Sequence, residues 1–277
     1  MRHIFLLKIT VIILVMLIIY LCVQRIENLF VHNNVSFYCS GNTILNIVGH
    51  PDDDLLFLSP DLTNNIKNGK CVITIFLTSG DAGLNKSYWI SREEGIKAAY
   101  SSLLNSNNVW VEQKINSKNN VISIFTQKNN NKISLIFLRL PDGSYIGEGY
   151  MSNKYESLKK LWLNEIIFIH SLDSVAKYSK RSLISTLLDL MNIYIPGEIN
   201  TQDFIGNFVD GDHSDHYASA YLSYEAEKNY LKPHKIASYM DYAIESKPEN
   251  VFGEEKKKKQ KVFMAYATFN KKSSLPL

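Results

Sequence analysis

The residues best equipped for chemistry lie in two short stretches far apart in the chain, "GHPDDD" at 49–54 and "DGDHSDH" at 210–216. In the first, Pro51 fixes a turn and the residues from Asp52 onward begin a helix, so a spacing of three brings His50 and Asp53 toward one point. An imidazole and a carboxylate there make two arms of a metal site. Asp52 then points elsewhere, close enough to take a proton from a water held at the site without becoming a ligand. The competing explanation is helix capping, because acidic residues in a first turn satisfy free N–H groups and the macrodipole. Capping suits a single aspartate such as Asp54 better than it suits a histidine followed by three. In the second stretch His213 and His216 flank Asp215 at the start of another helix. One histidine can bind the metal while the other, hydrogen-bonded to Asp215, is held in one tautomer and favoured as a cation. Two imidazoles and one carboxylate leave a position open for water, as a catalytic zinc site requires.

The two stretches can meet only if the elements before them lie side by side. "TILNIV" (43–48) and "CVITIFLT" (71–78) are short, nearly continuous apolar runs rich in β-branched residues, as expected of parallel strands covered on both faces. "DDLLFLSPDLTNNIKNG" between them supplies a helix and crossover. Residues 88–104 give a second amphipathic helix with Ile96, Ala99 and Leu103 on one face. "NVISIFTQ" and "KISLIFLRLPDG" read as a hairpin ending at a Pro-Asp-Gly turn. "SLISTLLDLMNIY" and residues 213–231 read as helices, "HKIASYMDYAI" as a late strand and "EEKKKKQKVFMAYATF" as a closing helix. This alternation predicts an α/β fold, a Rossmann-like sandwich with a mostly parallel sheet, in which ligands bind beyond the carboxyl ends of the strands. His50 lies beyond one such end, and "TSGDAG" (78–83), which carries Asp81, lies beyond the next.

The 277 residues suffice for one core, and the net charge of +3 is small, with much of the positive charge in the run "EEKKKKQK". A nucleic-acid partner therefore has no electrostatic footprint. Residues 4–23 are apolar apart from Lys8, long enough for a helix to cross a bilayer, and lead onward without a small-residue cleavage site. The predicted organisation is an uncleaved membrane anchor over 1–23, a tether over 24–42 and a catalytic domain over 43–277. The excess of positive charge before the span places that domain outside the cytoplasm. Of the three cysteines, Cys39 and Cys71 can then pair.

"GHPDDD", "TSGDAG", "SREEGIKAAY" and "DGDHSDH", in this order, resemble the PIG-L/LmbE family of zinc-dependent de-N-acetylases, over roughly residues 43–268. The resemblance implies a hydrolase that removes an N-acetyl group from an amino-sugar-containing substrate, such as an N-acetylglucosaminyl conjugate. It makes His50, Asp53 and His216 the ligands of Zn2+, Asp52 the general base and His213, oriented by Asp215, the electrophile that stabilises the oxyanion. It also implies that Arg92 contacts substrate and that Asp81 lines the cleft. The sequence departs from the family pattern at Asp54, where glutamate is usual, and at Gly95, where an acidic residue often stands. The alternatives are a metal-dependent amidase acting on a non-sugar amide or thiol conjugate, and a carbohydrate-binding module with a vestigial site.

Overall fold

The computed structural model describes residues 14–18, 20, 43–107, 109–118, 120–128 and 130–270. The chain divides into two compact units, Met1–Phe37 and Tyr38–Leu277. In the first, residues 14–18 and 20 are helical. The remainder of the expected anchor, the tether over 24–42, and both Cys22 and Cys39 lie outside the described residues. Among the described residues no helix is long and apolar enough to cross a membrane.

The second unit is built on strands β1 (Thr43–Val48), β2 (Cys71–Thr78), β3 (Trp110–Ser117), β4 (Asn120–Gln127), β5 (Asn130–Leu140), β8 (Glu198–Gln202) and β9 (Lys235–Tyr239), with a separate two-residue ribbon of β6 (Ile169–His170) and β7 (Lys177–Tyr178). The main sheet runs β3-β4-β5-β2-β1-β8-β9. Its five strands from β5 to β9 are parallel, and β3 and β4 add an antiparallel edge. The chain first extends from β1 through β2 to β5, then returns to the other side of β1 for β8 and β9. That reversal makes a topological switch point at β1/β8, where open sheets of this type bind ligands.

Helices cover both faces. On one side α1 (Asp53–Leu56), α2 (Asp61–Lys67), α3 (Lys86–Leu103) and α7 (Gly253–Ala267) pack on Ile44, Val48, Val72 and Phe76 through Leu55, Leu62, Ile96, Tyr100, Val262 and Tyr266. On the other, α5 (Lys180–Tyr194) and α6 (Ser214–Glu227) lie against β1 and β8, while α4 (Leu158–Trp162) packs on α6. Successive side chains alternate between faces, so Leu45 and Ile47, both fully buried, belong to this second layer. Each such side chain contributes about 1.5–3 kcal/mol by leaving water.

The expected apolar strands at 43–48 and 71–78 form as β1 and β2, and the late strand ends at Tyr239, ahead of a 3-10 turn at Tyr242–Ser246. β3 and β8 carry too few apolar residues to have been expected. In β8, Asn200, Thr201 and Gln202 are buried with hydrogen bonds in place of apolar contacts: Asn200 Nδ2 donates to Asn46 Oδ1 (3.0 Å) and Thr201 Oγ1 to the Ile47 carbonyl (2.9 Å), while Asn200 Oδ1 has no partner. Hydrogen bonding thus replaces hydrophobicity as the condition for burial. Cys71, buried at the start of β2, is disulfide-bonded. Its partner lies outside the described residues.

Candidate active site

The carboxyl ends of β1, β2, β5, β8 and β9 and the first turn of α6 converge on His50, Asp53 and His216, all buried. The Pro51 turn folds back on itself because the His50 backbone N–H donates to Asp53 Oδ2 at 2.7 Å. His50 Nδ1 then lies 3.3 Å from Asp53 Oδ2 and 3.2 Å from His216 Nε2, and His216 Nε2 lies 3.3 Å from Asp53 Oδ1. Three donor atoms around a tetrahedral zinc, with bonds of about 2.0–2.1 Å, are separated by about 3.3 Å. The outer nitrogens fix the tautomers: His50 Nε2 donates to Asp215 Oδ2 (3.2 Å) and His216 Nδ1 to Asp212 Oδ1 (2.8 Å). Both inner nitrogens therefore present lone pairs to the same point as the carboxylate, an arrangement that repels itself unless a proton or cation sits among them.

Electrostatics favours positive charge here. Burial opposes a charged His216, but Asp53 and Asp212 more than reverse this and push its pKa up to about 10. His50 is likewise held well above the ordinary imidazole value, burial being outweighed by Asp53 and Asp215. Burial would raise Asp53, yet His216 and His50 keep it well below the usual carboxylate range. The donor set fits a divalent cation.

Asp52 does not cap α1; its side chain makes no capping hydrogen bond. Its backbone sits at φ 124°, a strained conformation for an aspartate, and Oδ1 accepts from Arg92 Nη2 at 2.8 Å. Burial raises its pKa against the opposing pull of Arg92. Arg92, expected at the substrate, is itself buried, and its fork is taken up by Asp52 and by the carbonyls of Pro51 (2.6 Å) and Gly80 (2.8 Å). It serves the aspartate. Asp54 is no cap either: fully buried, it accepts from the Tyr100 hydroxyl at 2.6 Å, and burial pushes its pKa up to about 7.

His213 and Asp215 meet differently from expectation. His213 is the N-cap of α6, its Nδ1 accepting from the Asp215 backbone N–H at 3.2 Å. The Asp215 carboxylate is 3.9 Å from that nitrogen and is committed instead to His50 and to the Gly143 N–H (2.8 Å). Burial and the neighbouring His50 push the His213 pKa down to about 4, so it is a neutral imidazole rather than the expected cation. With Nδ1 accepting, its proton resides on Nε2, which faces Asp142 Oδ1 at 3.8 Å.

Asp81 is also buried and braces loops rather than facing an open cleft. It accepts from the backbone N–H groups of Asp142 (2.8 Å) and Gly83 (3.0 Å) and from Asn153 Nδ2 (2.8 Å). Sequence reasoning missed Asp142, Asp212, Gln202 and Asp241. Asp212 stands four residues before His216 and Asp142 follows the end of β5 in the Pro-Asp-Gly turn, so both had a positional signal. Gln202 and Asp241 had none.

A parallel α/β sheet carrying two imidazoles and a carboxylate at its switch point defines a metal-binding enzyme of the hydrolase type. The chain belongs to the PIG-L family, described as GlcNAc-PI de-N-acetylase, which it matches over residues 45–227. No curated protein matches it. Among solved structures it is similar to the zinc-inhibited form of teicoplanin deacetylase Orf2, at 13% identity over 82% of this chain and 84% of that one, TM-score 0.48. It is also similar to the N,N'-diacetylchitobiose deacetylase of Pyrococcus horikoshii (14% identity, 89% and 79% covered, TM-score 0.45). A conserved protein of Thermus thermophilus stands at 15% identity, 81% and 78% covered, TM-score 0.45. None of these likenesses is close enough to carry a substrate across.

Proposed function

We propose that the chain is a zinc-dependent hydrolase that removes an N-acetyl group from an amino-sugar-containing substrate, with His50, Asp53 and His216 as zinc ligands. The observation that carries this is the close approach of His50 Nδ1 and His216 Nε2, 3.2 Å apart, each 3.3 Å from one oxygen of the Asp53 carboxylate, beside an aspartate that takes no part in the cluster. Bound there, zinc supplies a Lewis acid that polarises an amide carbonyl and lowers the pKa of water. Asp52, held by Arg92, takes the proton of the attacking water. His213 donates its Nε2 proton in a hydrogen bond to the oxygen on which charge develops, a contact worth about 3 kcal/mol in comparable sites. Asp215 and Asp212 keep the two ligand imidazoles in the required tautomers. Acetate and a free amine result.

The sugar part of the assignment rests on family membership, and the chemistry rests on the site. Acetate release by the zinc-loaded chain from a panel of N-acetylated glycans tests both. His50→Ala, Asp53→Ala and His216→Ala should each lose zinc by metal analysis and release no acetate. Full zinc occupancy in any of the three removes that residue from the ligand set.

We further propose that residues 1–23 anchor the protein and that the domain over 43–277 lies outside the cytoplasm. The apolar run supports the anchor, and a disulfide-bonded Cys71 suits an oxidising compartment.

A further inference from the structure

Gln202, the last residue of β8, is fully buried and has no exposed surface through which to touch a substrate. Its amide nevertheless joins three parts of the site. Oε1 accepts from the Gly49 N–H at 2.7 Å, and Nε2 donates both to Asp53 Oδ2 (3.0 Å) and to Asp241 Oδ1 (3.1 Å). Asp53 Oδ2 thus receives two N–H donors, from Gln202 and from the His50 backbone. Asp53 Oδ1 receives none of these and faces His216 Nε2 at 3.3 Å, while the doubly hydrogen-bonded Oδ2 also lies 3.3 Å from His50 Nδ1. At the far end of the brace Asp241 is buried, and its Oδ2 lies 3.8 Å from His216 Nδ1 without a hydrogen-bond partner.

We propose that Gln202 is a positioning residue for the metal, resting on the assignment of Asp53 and His216 as ligands: by occupying Asp53 Oδ2 it leaves Oδ1 as the coordinating oxygen, and through Asp241 it steadies the far side of His216. The donor pattern explains the residue type. One acceptor is needed for Gly49 and two donors for the two carboxylates, which only a side-chain amide provides. A glutamate of the same shape keeps the bond to Gly49 but sets a third carboxylate against Asp53 and Asp241. Asparagine is shorter by one methylene and cannot span both ends. The strand that carries Gln202 therefore contributes to the site through its second layer alone, a kind of support whose loss typically weakens metal binding by about 10–100-fold.

The test uses the full chain and measures zinc affinity by competition with a chromogenic chelator, beside thermal melts of the metal-free protein. Gln202→Glu should bind zinc about 10–100-fold more weakly while KM stays at the wild-type value, and saturating zinc should restore much of kcat. Wild-type zinc affinity in folded Gln202→Glu overturns the proposal. Should that variant fail to fold, Asp241→Ala decides in the same assay, with weakened zinc binding supporting the brace and unchanged binding overturning it. His216→Ala separates the two levels of the argument: if it keeps zinc, the ligand assignment fails, whereas zinc lost there but bound normally by Gln202→Glu defeats the brace alone.

Discussion

Asp52 occupies a backbone conformation that costs about 1–3 kcal/mol for a non-glycine residue, and such strain persists where the surroundings over-determine it. The determinant here is Arg92, whose fork ties the Asp52 carboxylate to the carbonyls of Pro51 and Gly80. Asp52→Asn keeps the shape and should keep the zinc, while turnover falls by about 10²–10⁴. Zinc lost from this variant would make Asp52 a ligand instead of the base. Arg92 also sets the pH range. Burial already raises the Asp52 pKa and Arg92 opposes that rise, so Arg92→Met should raise it further. Since the base works only when ionised, the acidic limb of the pH profile of kcat/KM should move to higher pH, and an unmoved limb would show that Arg92 is not its counter-charge. The proposed ligand triad was legible because His50 and Asp53 lie three residues apart and the histidine pair of His213 and His216 stands at a helix start. The task of Arg92 was not, because a helical arginine carries no mark of what its side chain will meet.

Among the elements, the contact of α3 with α7 explains a departure from the family pattern. A Cβ at Gly95 would lie 2.8 Å from the Tyr266 ring and 2.9 Å from the Tyr266 carbonyl, so the helices meet where only glycine fits. Tyr266 in turn donates to the Pro51 carbonyl at 2.8 Å, which links this packing to the turn bearing Asp52. Gly95→Ala should destabilise the protein by about 1–3 kcal/mol, read as a lowered Tm, and Gly95→Glu by more. A wild-type Tm in Gly95→Ala would mean that α7 yields freely. Trp89 packs in the core under Arg139 at 5.4 Å and is not available for stacking on a sugar ring. A polar chain also crosses the central strands, from Asn200 through Asn46 and Thr74 to Tyr100 and Asp54. It places hydrogen-bonded groups beneath the site without exposing them.

For the whole molecule, compartment and attachment matter most. Cys71 is disulfide-bonded, and Cys22 and Cys39 are the other cysteines of the chain. Peptide mapping without reductant should recover Cys71 joined to Cys39; a Cys22–Cys71 peptide would assign the bridge to the predicted anchor instead. A reporter fused after Leu277 should be active outside the cytoplasm, and activity confined to the cytoplasm would reverse the orientation.

The class of fold and the candidate ligands and base were readable along the chain, because each carries a local signature: apolar runs of strand length, a turn fixed by Pro51, histidines at a helix start. How charge is distributed around them is a property of the folded chain. Folding gave the Asp215 carboxylate to His50 rather than His213, left His213 neutral, buried Arg92 against Asp52 and brought Gln202 and Asp241 behind Asp53 and His216. These partners are separated by between 39 and 165 positions in the chain. Their pairing follows from strand order and burial, which set the local dielectric and the available donors, and no local spacing encodes either.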